Sequence, residues 1–148
     1  MESNPGALCA FLVLGAVLIR AMWTDLMRRE ISNAACVAAA ISAAAYAAGT
    51  GGMGAPAWES ALLILVCGFI LSAFFGVIGA GDVKLLAAVA LGFPGETLEL
   101  LLYTAWSGGV VALVVLIWNL FARKRTTELP YGIAIGSAVF LLIFKHLS

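Results

Sequence analysis

Long apolar runs set nearly end to end leave this chain only one solvent in which to fold. They cover about Ala7–Thr24, Asn33–Ala48, Ala57–Ile78, a short stretch from just after Asp82 to Phe93, Thr97–Ala122 and Pro130–Leu147. A helix needs roughly 20 apolar residues to cross a hydrocarbon core about 30 Å thick. Six such helices would take about 120 residues of the 148 present. Lipid offers the backbone no hydrogen bonds, so runs of this kind cross as helices. Apolar residues make up 64% of the chain and charged residues 11%, where a soluble domain carries about a quarter charged. The expected fold class is all-α: a polytopic integral membrane protein of about six transmembrane helices. Positions 1–148 form a single membrane-embedded domain, with no room for a soluble one.

Formal net charge is zero, so bulk electrostatics names no partner, and no nucleic acid is expected. The placement of charge says more. Arg28 and Arg29 lie between helices 1 and 2, Lys84 just after the 3–4 turn, and Arg123, Lys124 and Arg125 between helices 5 and 6. With Arg20 near the same end of helix 1, the six-helix arrangement leaves Lys145 alone on the other side. Retained positive charge marks the cytoplasm, which places both termini outside and the protein in the cytoplasmic (inner) membrane as a multi-pass chain. Glu2, Glu59, Glu96 and Glu99 then fall outside. Losing the fourth run would carry the basic 5–6 loop across the membrane, so the charge pattern argues that this run spans. Met1 to Gly6 lacks the basic region of a secretory signal, and the run that follows ends on charges rather than at a small-residue cleavage site. Helix 1 is expected to be retained.

The fourth run is short. About 12 residues at 1.5 Å each cover roughly 18 Å, and helix 2, at about 16 residues, is also short for a crossing. Each begins soon after an aspartate, Asp25 or Asp82, on the cytoplasmic side. The simplest geometry recesses both turns below the membrane surface. Gly79 and Gly81 suit a non-helical backbone at that depth, which is tolerated only beside protein or a wet cavity. A cytoplasm-facing polar cavity holding Asp25 and Asp82 follows.

Two carboxylates in a poorly solvated site hold a single proton between them. The ionised member can then activate a water while the protonated one polarises a carbonyl. Little else in the sequence offers chemistry. His146 is the single histidine, at the far terminus, and Cys9, Cys36 and Cys67 each sit alone with no CxxC pair. Neither a metal site nor a cofactor is expected. Simpler roles exist for each residue. Asp25 reads equally as a juxtamembrane charge beside Arg28 and Arg29, Asp82 as a helix N-cap, and Asn33 as the cap of helix 2. Lys84 reads as a snorkelling cation, and Glu30 as part of a solvated loop.

Three motifs in sequence shift the balance. Gly79-Ala80-Gly81-Asp82-Val83-Lys84 matches the GxGDxK signature of type IV prepilin peptidases, a family of GxGD-class membrane aspartyl proteases. Asp25-Leu26-Met27-Arg28-Arg29-Glu30-Ile31-Ser32-Asn33 resembles the family's first-aspartate segment, in which a basic stretch leads to Ile-Pro-Asn; here Ser32 stands in place of the Pro. Pro130-Tyr131-Gly132-Ile133-Ala134-Ile135 resembles the Pro-aromatic-Gly stretch that opens the last helix. The resemblance implies cleavage of class III signal peptides on prepilins or pseudopilins, after a glycine at the cytoplasmic membrane edge. It assigns Asp25 and Asp82 as the catalytic pair and Lys84 as the residue that positions or tunes Asp82. Gly79 and Gly81 would permit the turn, with Asn33 in support and Arg28 and Arg29 as a basic rim. Longer relatives carry an extension with paired CxxC motifs and also methylate the product. This sequence is similar to the short, peptidase-only branch of tight-adherence (Flp-type) pilus systems, related in plan to archaeal preflagellin peptidases, and no methyltransferase activity is expected.

Partners implied are the pilin substrates and membrane lipid. The sequence leaves the oligomeric state open, although one chain holds both aspartates. The competing classes are a small membrane carrier using the carboxylates as a proton relay and a pilus-assembly subunit using them as caps. Carriers usually show internal repeats, and none is evident here. Single cysteines introduced as Arg28→Cys and Lys124→Cys are expected to react with impermeant reagents from the cytoplasmic side. Labelling of either from outside would reject the six-helix topology.

Overall fold

The computed structural model describes residues 4–28, 30–75, 79–121 and 131–147. It contains six helices in chain order: α1 Pro5–Arg28, α2 Asn33–Gly49, α3 Ala55–Phe75, α4 Ala80–Ala90, α5 Thr97–Phe121 and α6 Tyr131–Leu147. Glu2, Arg29, Arg123, Lys124, Arg125 and Pro130 lie outside the described residues, as does the side chain of His146.

Helix ends depart from the sequence expectation in two instructive places. Helix α1 continues past Thr24 to Arg28, so Asp25 lies inside its last turns rather than in a charged loop. Nothing from Asp25 to Arg28 breaks a helix, and Arg28 suits the negative end of the helix dipole. Helix α2 is capped by Ser32, not by Asn33. Ser32 is extended (φ −67°, ψ 143°) and its hydroxyl accepts the Ala35 N–H at 3.2 Å, leaving Asn33 as the first helical residue. Ser32 thus satisfies one of the orphan donors at the helix start.

Packing follows from side-chain size. Helices α1, α2, α4 and α6 form a ring of successive contacts, with α3 leaning on α4 and α5 on α6. The ring is filled by Leu14, Leu18, Leu85, Val89, Ile135, Val139 and Leu142. Helix α2 presents Ala39, Ala43 and Ala47 inward, all fully buried; small residues at a spacing of four let neighbouring backbones approach closely. Helix α4 is buried on nearly every side, as befits a helix apolar all round.

Three helices, α1, α3 and α5, are long and apolar enough to cross a membrane, while α2 and α6 are shorter apolar helices. Helix α4 has 11 residues and rises only about 16 Å. The turn after it completes the distance: Gly92 packs on Ala43, and Pro94 lies against Gly52, just past the end of α2. Large apolar side chains cover the outside, among them Trp23, Phe74, Trp106, Trp118 and Phe121. A water-soluble monomer does not expose apolar surface on this scale; a lipid-facing one must.

Ala43 is the tightest test of this packing, since α2 meets Gly92 there. Ala43→Leu is expected to lower stability by about 1–3 kcal/mol through overpacking, read as a lower thermal midpoint in detergent. Val37→Leu on the exposed face of the same helix should change it by less than about 0.5 kcal/mol.

Candidate active site

Contacts identify two ends of the bundle. At one, the Asn4 side chain donates to the Gly49 carbonyl at 3.1 Å, and Lys145 pairs with Glu99. At the other, the C-terminus of α1 meets the N-termini of α2, α4 and α6. Asp25 and Asp82 both lie at this second end.

Asp25 is 6% exposed, and its Oδ2 accepts the backbone N–H of Gly132 at 2.8 Å. Gly132 is the second residue of α6, where an N–H has no acceptor within its own helix and the helix dipole favours an anion. The approach is too close for any side chain on residue 132. An added Cβ would lie 2.8 Å from Oδ2 and 3.0 Å from the Cβ of Asp25. One turn along α6, a Cβ on Gly136 would stand 2.2 Å from the sulfur of Met22, one turn back along α1. Gly132 and Gly136 therefore form a small-xxx-small face that seats α6 on α1. Sequence reading missed both as site residues; the spacing of four in Gly-Ile-Ala-Ile-Gly was the available signal.

Asp82 lies in the first turn of α4 and is not its cap, which is Gly79. Its carboxylate instead lies back across the first turn, close against Gly79. The two glycines act by leaving room, not by unusual dihedrals. Gly79 has an ordinary extended backbone (φ −68°, ψ 143°) and Gly81 is helical. Among the described residues, positive φ occurs at Gly51 and Gly95 only. A Cβ on Gly79 would meet the Asp82 carboxylate at 2.8 Å, and one on Gly81 would press on Ile31 at 3.3 Å.

Both aspartates border one cavity of about 480 Å³, together with Arg28, Glu30, Ser32 and Asn33. The ammonium of Lys84 donates to Asn33 Oδ1 at 3.0 Å, so the contact it makes ties α4 to α2 beside the cavity rather than gripping Asp82. Arg28 is exposed at the edge, while Arg29 lies outside the described residues. Among the described residues, no group of three or more His, Cys, Asp or Glu could hold a metal ion.

The site is recessed, as the short helices suggested. Gly68 of α3 meets Val83 of α4, and the rest of α3, from Gly68 to Phe75, rises roughly 10 Å further. Gly108 of α5 lies level with Tyr131 and Ala134, and α5 continues to Phe121, roughly 20 Å beyond.

The sequence profile of the type IV leader peptidase family matches residues 12–117, well over half the chain and both aspartates. No curated protein and no solved structure matches.

The Asp25–Gly132 contact is testable as a coupling. Gly132→Ala alone should destabilise the fold by about 1–3 kcal/mol. In an Asp25→Ala background that penalty should shrink, giving a coupling of about 0.5–3 kcal/mol in thermal melts. Additive effects would show that the two do not share this contact.

Proposed function

The chain belongs to the type IV leader peptidase family, and on that premise we propose that it is a membrane aspartyl endopeptidase in which Asp25 and Asp82 together activate water. The observation that carries the proposal is the meeting of two carboxylates, from α1 and α4, on a single polar cavity at one end of an otherwise apolar bundle. Two carboxylates in a poorly solvated site share one proton and titrate as a unit.

Hydrolysis then needs only the pair and a water. The ionised carboxylate takes a proton as the water oxygen attacks the scissile carbonyl carbon, while the protonated carboxyl donates a hydrogen bond to the carbonyl oxygen. The tetrahedral intermediate collapses, the C–N bond breaks, and the departing nitrogen takes a proton from the pair. The pair is left holding one proton, as before. The Gly132 N–H holds the Asp25 carboxylate in place from the N-terminus of α6.

The substrates we assign are prepilins or pseudopilins, cut after a glycine at the cytoplasmic edge of their apolar helix. A glycine before the scissile bond suits a recessed pair, because the backbone can approach the carboxylates without a side chain in the way. Arg28 at the cavity edge would face the polar leader.

Asp25→Asn and Asp82→Asn should each reduce cleavage of a prepilin-like peptide by roughly 10²- to 10⁴-fold or more, with the melting profile retained. Asn keeps the size of the side chain but cannot share the proton. Lys84→Ala should lower the rate without abolishing it, since its ammonium bonds to Asn33 and carries no proton in the reaction. Near-normal turnover by either Asn variant would refute the mechanism.

A further inference from the structure

A second cavity reaches the same aspartate from the lipid side. It has a volume of about 530 Å³ and is almost wholly apolar, lying between α3 and α5 with α4 and α6 as its floor. Asp82 borders both this groove and the polar cavity. The groove passes Asp82 and extends mostly away from the polar end. Its walls extend from Leu71 to Leu63 on α3 and from Ala112 to Leu101 on α5, roughly 12 and 16 Å, or two to three helical turns.

We propose that this groove receives the first turns of the apolar helix that follows the scissile bond in the substrate, delivering the start of that helix to Asp82. The proposal rests on the peptidase reading and names the surface that reading lacks. Three observations select a helix as the occupant. A chain segment at membrane depth must satisfy its own backbone hydrogen bonds, which restricts it to a helix. The α5 wall presents Ala105, Gly109 and Ala112, which allow a helix axis to come close. A Cβ built on Gly109 meets nothing within 4 Å, so the chain itself does not fill this space.

Continuity of the two cavities fixes the register. A polar leader would lie in the cavity beside Arg28 and Glu30 while the apolar helix lies between α3 and α5. The peptide bond joining them falls at Asp82, which is where polar and apolar linings meet. Cleavage at a helix start is also chemically reasonable, because a bond within the helix would be hidden by its own hydrogen bonding.

Two substrates test this: one carrying the leader and its apolar helix in vesicles, and a soluble peptide carrying only the scissile region. Gly109→Phe should lower the ratio of their cleavage rates (helix-bearing over soluble) about tenfold or more. Leu102→Phe, exposed on another face of α5, should leave the ratio unchanged. A photoreactive benzoylphenylalanine in place of Leu71, already a large side chain on the groove wall, in an Asp82→Asn chain, should capture the first turns of the substrate helix. An unmoved ratio, or capture of phospholipid alone, would overturn the groove assignment. Failure of the wild-type protein to cut either substrate would instead overturn the peptidase reading.

Discussion

The contact between Asp25 and Gly132 is the joint on which the site depends. It links residues 107 positions apart and closes the ring of α1, α2, α4 and α6 at the end where the cavity lies. Removing the side chain at residue 132 lets the backbone N–H of α6 come directly onto a buried carboxylate. That single bond satisfies an orphan donor at a helix start and gives a buried carboxyl group a partner, two requirements that are costly to leave unmet in a low-dielectric interior.

Around this joint the bundle resolves a conflict between length and depth. A helix of 11 residues cannot cross a bilayer, yet α4 is the most enclosed helix in the protein. Its shortness places Asp82 below the ends of α3 and α5, and its apolar circumference is covered by neighbours rather than lipid. The ordered turn from Leu91 to Pro94 recovers the missing rise at the opposite end. A recessed polar cavity is thus a consequence of helix lengths.

The same arrangement separates two environments at one residue. Toward the polar end, Asp82 faces Asp25, Arg28 and Glu30; toward the membrane interior, it heads an apolar groove. Under the proposed function, a substrate that changes from polar to apolar within a few residues would meet such a boundary. Beside it, the Lys84 ammonium donates to Asn33 and links α4 to α2.

Much of this was legible in the linear chain, because much of it is local. Apolar runs of a given length dictate helices. The GxGDxK motif singled out Asp82, and the brevity of the fourth run implied its depth. What the sequence could not decide were matters of contact between distant segments. Whether Asp25 belongs to a loop or a helix depended on burial against α6, and Ser32 rather than Asn33 became a cap through the local direction of the chain entering α2. Gly79 and Gly81 serve as space for Asp82 and Ile31, not as hinges. Gly132 and Gly136 acquired meaning only when α6 met α1. Composition and periodicity specify which segments become helices, because those hydrogen bonds lie within four residues of one another; which helix touches which is decided by the fit of side chains brought together from opposite ends of the chain.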